Sequence, residues 1–390
     1  MKIVAIHQMA VPLEANIDNA MVNFSKHNVS LVAVVSDVRR NGKNLIGYGF
    51  NSIGRFAQSG ILQQRIIPRL LDAKPDSLLT NRADRFCVES VYRIAMKDEK
   101  PGGHGDRAGA VAAIELAFWD LNAKIADEPA WNLIAGFADL PKDIPNVSTY
   151  AAGGYYYKEG SLKGLRDELR GYIDHGFNQF KIKIGGASLD EDLKRIDVAV
   201  TESRDANNVA VDANGCFDKK EANTYLKELA ARNIRWYEEP VDPLDFESLK
   251  ALASNEELPI ATGENLFSGQ DVQNLLRYGG MKPKRDVFQM DAGLGYGLSE
   301  YLRIISMIER YGHDRSQCFP HGGHLINLHI AAGLGLGGCE AYPGVFKPFG
   351  GFGSSCRVED GLVKPSDAPG FGLEQNEELS PYLKNISEIT

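Results

Sequence analysis

Eight short apolar runs recur between Val147 and Pro343, and each ends in a polar or glycine-rich turn: VSTYAAGG, NQFKIKIGG, NVAVDANG, IRWYEEP, PIATGEN, DVFQMDAG, QCFPHGGH and GGCEAYP. Helix-compatible stretches such as LKGLRDELRGYIDHG and DEDLKRIDVAVTESR separate them, and this alternation of strand and helix signals reads as a parallel sheet with helical crossovers. Eight such units are the number that a closed parallel barrel requires. The residues at the ends of the middle runs, Lys183, Asp212, Glu238, Glu264, Asp291 and His321, follow one another at intervals of about 26 to 30 positions, the length of one strand, one helix and two loops. Side chains at the carboxyl ends of successive barrel strands converge on one mouth. A metal-assisted enzyme is therefore the first functional expectation.

The remainder of the chain reads differently. Residues 1–130 are expected to form a smaller α+β unit, with strand-like IVAIHQMAV, SLVAVVSDV and NLIGYGFNS and a hairpin signal, NGK, between the last two. Helical stretches follow within 60–72 and 86–96, and a Gly-rich turn, KPGGHGDR, leads into the long helix of GAVAAIELAFWDLNAKIA. Residues 131–355 carry the barrel, and 356–390 read as a tail returning to the first unit. A chain of 390 residues suits a barrel with an accessory domain.

Composition excludes several classes. A formal net charge of −9 lacks the basic face of a nucleic-acid binder. The start, MKIVAIHQMAVPLEANID, has too short an apolar run for a signal peptide, and no stretch reaches membrane-spanning length, so neither a nucleic acid nor a membrane is an expected partner and a cytoplasmic location is expected. The five cysteines are scattered, odd in number and without CxxC spacing, which indicates neither a disulfide framework nor a zinc site. Cys318 and Cys339 fall in predicted strands and read as small buried residues.

Asp212, Glu238 and Glu264 supply one carboxylate from each of three consecutive strands. An all-oxygen set suits a hard cation such as Mg²⁺ and leaves positions for water and substrate. Strand alternation sends only one of the adjacent pair Glu238 and Glu239 inward; Glu238 is the expected ligand, with Glu239 facing a helix or salt-bridged. Lys181 and Lys183 share a strand face, and two buried ammonium groups beside a cation are expected to lower a pKa toward the range of a general base; two surface lysines on an edge strand are the plainer alternative. Asp291 and His321 end neighbouring strands, where a carboxylate holding one imidazole nitrogen orients the other, unless His321 is a satisfied core histidine. His324 competes for the same role. Glu340 either bonds a substrate oxygen when protonated or pairs with a lysine, and Asn214 touches substrate or a water beside Asp212.

With KxK on the second strand, three carboxylates on strands three to five and an Asp–His pair on strands six and seven, the chain resembles the mandelate racemase subgroup of the enolase superfamily. The stretches SLVAVVSDV, GYGFNS, EKPGGHG, YAAGGYYY, ATGENLFS and AAGLGLGG are most similar to those of the D-tartrate dehydratases. The resemblance implies a (β/α) barrel of modified TIM type with an N-terminal α+β capping domain completed by the C-terminal tail. It implies one Mg²⁺ per subunit on Asp212, Glu238 and Glu264, Lys183 as base with Lys181 as its electrostatic partner, and His321 as acid oriented by Asp291. Capping loops around 22–26, Asn51 and Lys100 are expected to close over a small acid-sugar substrate, with Asn214 and Glu340 also binding it. The implied activity is dehydration of D-tartrate to oxaloacetate in a homo-oligomer. Dehydration or epimerisation of another sugar acid is the nearest alternative, and a noncatalytic binding barrel a remote one.

Overall fold

The computed structural model describes residues 1–142, 146–156 and 162–389. The chain opens with an antiparallel sheet of β1 (Ile3–Pro12), β2 (Asn28–Arg40) and β3 (Lys43–Phe50), in that order. Asn41 and Gly42 turn the β2–β3 hairpin at φ 51° and 77°, the left-handed pair that an Asn-Gly turn favours. The helix Asp106–Ala126 lies so close on β3 that a Cβ on Gly47 or Gly49 would stand 2.1 or 2.4 Å from the carbonyl oxygens of Ala117 and Ala113. Its opposite side also faces protein: Glu115, fully buried, accepts bonds from the Leu298 and Ser299 amides at 2.8 and 3.0 Å. Those amides open the helix Leu298–Arg310, whose N-cap is Gly297 and brings no side-chain acceptor of its own.

The barrel runs through β4 (Val147–Gly153), β5 (Phe180–Lys183), β6 (Val209–Asp212), β7 (Tyr237–Glu238), β8 (Ile260–Thr262) and β9 (Val287–Phe288), each parallel to the next. β10 (Cys339–Ala341) pairs parallel with β4. Between β9 and β10, the expected seventh strand shrinks to one bridge, Phe288 to Cys318, and the ring closes through Gly337 N to Cys318 O at 3.1 Å and Glu340 N to Pro320 O at 3.4 Å. Pro320 has no N–H to extend that ladder. Strands buried on both faces explain why these runs read as nearly continuous apolar segments.

The C-terminal residues first add to the barrel and then leave it. β11 (Val358–Glu359) and β12 (Leu362–Val363) form a hairpin, and β12 runs antiparallel to β4. Beyond it, the Phe371 amide donates to Asp120 Oδ1 at 2.7 Å, Glu374 pairs with Lys124 at 2.5 Å, and the helix Ser380–Ser387 packs on β1 and β2. The α/β barrel with an N-terminal domain completed by the tail is thus the fold the motifs led one to expect.

Candidate active site

Register places the first residues of the site. Lys183 is the partner of Asp212 across β5 and β6, and Asp212 is the partner of Glu238 across β6 and β7. Glu264 stands two residues beyond β8, after Gly263 at φ 129°, where a Cβ would meet Met290 Sδ at 2.5 Å. One carboxylate oxygen each from Asp212, Glu238 and Glu264 lies within 4.8 Å of the others. The donor set is all oxygen, and Glu264 Oε2 and Asn214 Oδ1 are buried without hydrogen-bond partners among the described residues. Both observations fit a hard divalent cation. Glu238 is pushed up to about 8 by burial and by the facing carboxylates of Asp212, Glu264 and Glu340, a repulsion that a bound cation relieves.

Two buried lysines enter this cradle from β5. Lys183 donates directly to Asp212 Oδ2. Lys181 lies 2.5 Å from Glu238 Oε1 and 2.7 Å from Glu340 Oε1. On the other side, His321 Nδ1 is 3.1 Å from Asp291 Oδ2, while Nε2 faces the Tyr342 hydroxyl at 3.0 Å and Glu264 Oε2 at 3.7 Å. Asp291 is itself held by the Gly293 amide at 2.8 Å and Asn327 Nδ2 at 3.0 Å. Burial opposes the imidazolium, but Glu264, the hydrogen bond to Asp291 and Glu340 outweigh it and raise His321 to about 9.

Lys183, Asn214, Glu264, His321, Tyr155 and Tyr342 line one cavity of about 450 Å³. Val22, Phe24, Ile53 and Arg55 from the N-terminal domain line it as well. A larger hollow of about 1110 Å³ lies beside the helix Leu162–Asp174 and contains none of the six strand-end residues. Asp212, Glu238, Lys181, Asp291 and Glu340 are buried and reach the cavity residues through the contacts above.

Several expectations change. The lysines are not driven neutral: burial favours the free amine, but the Asp212 carboxylate holds Lys183 above the ordinary lysine value, and Glu238 and Glu340 do the same for Lys181. Glu340 takes the lysine-pairing alternative; burial is outweighed by Lys181 and His321, so its carboxyl stays below the usual range instead of protonating, and it also accepts from the Gly322 amide at 2.9 Å. Asn51 lies away from the cavity, where its Oδ1 accepts from the Ser30 amide at 2.6 Å and locks β2 to the end of β3. Lys100 is exposed and does not line the cavity; its carbonyl accepts from Arg107. Glu239 forms no ion pair among the described residues: at φ 38° its carboxylate accepts from the side-chain amide of Asn265. His324 is spent on capping, accepting from the Asn327 amide at 3.3 Å while its other nitrogen meets Ser52 Oγ at 3.0 Å. Tyr342 and Arg55 were missed. Tyr342 carried a signal, since it lies two residues after Glu340 in GGCEAYP, but Arg55 sits in a loop without periodicity.

A parallel barrel with an acidic cradle, flanked by a buried lysine pair on one side and an Asp-bound histidine on the other, defines a scaffold for metal-assisted acid–base chemistry. Residues 164–379 match the family described as enolase C-terminal domain-like, and the chain belongs to that family, within the enolase and mandelate racemase superfamily. The chain is 26% identical over 364 residues to arabinonate dehydratase of Saccharolobus solfataricus, covering 90% of each chain. It is 25% identical over 387 residues to L-talarate/galactarate dehydratase of Salmonella typhimurium, covering 97% of this chain and 90% of that protein. Among solved structures, L-talarate dehydratase from Polaromonas sp. JS666, complexed with Mg and L-glucarate, shares the fold at a TM-score of 0.77 and 23% identity, covering 98% of this chain and 96% of that one. Among the described residues, no helix is long and apolar enough to cross a membrane.

Proposed function

We propose that this protein is a Mg²⁺-dependent dehydratase of hydroxylated acids, with Lys183 as base and His321 as acid, and that D-tartrate is its substrate, giving oxaloacetate and water. The observation that carries the reading is the placement of Lys183 and His321 on strand positions two and seven of one ring, lining one cavity together with Glu264 of the three-carboxylate cluster. Relatives named as dehydratases of acid sugars support the reaction class. The particular substrate rests on the sequence stretches that resemble those of D-tartrate dehydratases.

Removing a proton α to a carboxylate adds charge to an existing anion. Mg²⁺ held by Asp212, Glu238 and Glu264 would supply the Lewis acidity that stabilises this charge. Were Asp212 to hold a cation, Lys183 would lose the counter-charge that keeps it protonated, and burial and the neighbouring Lys181 would favour the neutral amine that a base requires. Lys183 Nζ takes the C2 proton. His321, kept cationic by Asp291 and its other acidic neighbours, gives a proton to the departing 3-hydroxyl, and the resulting enol becomes the 2-keto acid. Tyr342 holds the His321 Nε2 side of the ring toward the cavity.

The test is incubation of the purified protein with Mg²⁺ and a panel of acid sugars that includes D-tartrate, scoring 2-keto acid by semicarbazone absorbance. Keto acid from D-tartrate, abolished by a chelator, is the expected result. Product from another acid alone would move the substrate, and no product from any acid would reject the dehydratase.

A further inference from the structure

The second letters of two strand-end motifs have no part in the chemistry above. Glu239 follows Glu238, and Asn265 follows Glu264. Glu239 sits at φ 38°, in the left-handed region that non-glycine residues seldom occupy, and accepts from Asn265 Nδ2 at 3.0 and 2.9 Å through its two oxygens. That contact fixes the amide with its oxygen turned the other way, and Asn265 Oδ1 accepts from Arg55 Nη2 at 2.7 Å. The Arg55 guanidinium also lies 4.9 Å over the ring of Phe267. Arg55 forms no ion pair among the described residues, yet it lines the same cavity as Lys183 and His321.

An oriented guanidinium without a counter-ion on a cavity wall is a carboxylate receptor, because its planar fork matches two carboxylate oxygens. The proposed chemistry uses one carboxylate of the substrate at the three-carboxylate cluster and leaves Arg55 free. We propose that Arg55, oriented by Glu239 and Asn265, binds the second carboxylate of a diacid and makes the protein selective for dicarboxylic over monocarboxylic hydroxy acids. The inference rests on the dehydratase reading and narrows it, since the relatives are named for a monoacid, arabinonate, as well as for diacids, talarate and galactarate.

The test compares D-tartrate with the monoacid in which one carboxylate is replaced by hydroxymethyl, in the wild type, Arg55→Met, Arg55→Lys and Asn265→Leu. Loss of one charge-assisted contact should lower the diacid-to-monoacid ratio of kcat/KM by about 10- to 100-fold in Arg55→Met, mainly through KM. Arg55→Lys should recover part of the ratio, and Asn265→Leu should move it the same way by less. An unchanged ratio in Arg55→Met, or a wild type that prefers the monoacid, overturns the inference and leaves the dehydratase standing. If no acid is turned over, the dehydratase reading fails, and Mg²⁺-dependent thermal stabilisation decides on Arg55. A wild-type preference for tartrate that is lost in Arg55→Met supports the assignment, and equal stabilisation by the two acids overturns it.

Discussion

Lys183 and Asp212 are register partners on adjacent strands, both buried, and the lysine ammonium donates to the same carboxylate that the metal cradle requires. The ammonium and a divalent cation in the cradle would therefore compete for Asp212, so cation binding would be coupled to freeing the proposed base.

Lys183→Ala should accordingly retain Mg²⁺ binding, with affinity equal to or above that of the wild type because the competing charge is gone. Turnover should fall by about 10²–10⁴-fold, the span of a general base. Calorimetry gives the first quantity, and NMR of substrate C2 deuterium incorporation in D₂O gives a second signature. Appreciable exchange at C2 in the variant would remove Lys183 from the base role.

His321→Asn should block loss of the 3-hydroxyl, lowering turnover by about 10²–10⁴-fold while C2 exchange by Lys183 persists. In the wild type the acid must be protonated, so kcat/KM should decline as pH rises through the His321 pKa. A cation on Glu264 would weaken the strongest charge favouring the imidazolium, so this limb should fall below about 9. An alkaline limb that survives unchanged in His321→Asn would assign it to another group.

How far the sequence was legible depends on whether a role follows from strand order or from apposition of distant loops. The three carboxylates and the Asp–His pair each end an apolar run, so periodicity alone set them on one rim. The charge state of Lys183 was misread because KIKIGG shows two cations on one strand and hides the partner that register brings across from VDANG. Asn51 and Lys100 lie where no period constrains direction, and only the folded chain shows Asn51 turned back to Ser30. Arg55 has its meaning through Asn265, 210 positions away, a distance no local pattern spans.

Glu340→Leu should cost about 3 kcal/mol of stability, since Lys181 would lose its partner at 2.7 Å, keeping Glu238 at 2.5 Å and the more distant Asp212 at 3.8 Å as counter-charges, and the Gly322 amide would lose its acceptor. Urea denaturation of the metal-free protein measures this. A loss below about 1 kcal/mol, the scale of an exposed pair, would show that Lys181 is compensated without Glu340.

His329 gives a pH prediction away from the proposed chemistry. It lies fully buried in the helix Leu325–Leu334, accepting from the Trp131 amide at 3.3 Å, with Nε2 lacking a hydrogen-bond partner among the described residues, and burial lowers its pKa from 6.5 to about 3. Between those two values the unfolded chain binds a proton that the folded one refuses. Stability from this group is therefore complete above the unfolded value and is lost as pH falls toward the folded one, at up to about 1.4 kcal/mol per pH unit. His329→Gln keeps an acceptor for Trp131 but does not titrate. Between pH 6.5 and 5 the wild type should thus lose about 2 kcal/mol more than the variant in urea denaturation, the other titrating groups cancelling in the comparison. Equal losses in the two proteins would mean that His329 is protonated without unfolding.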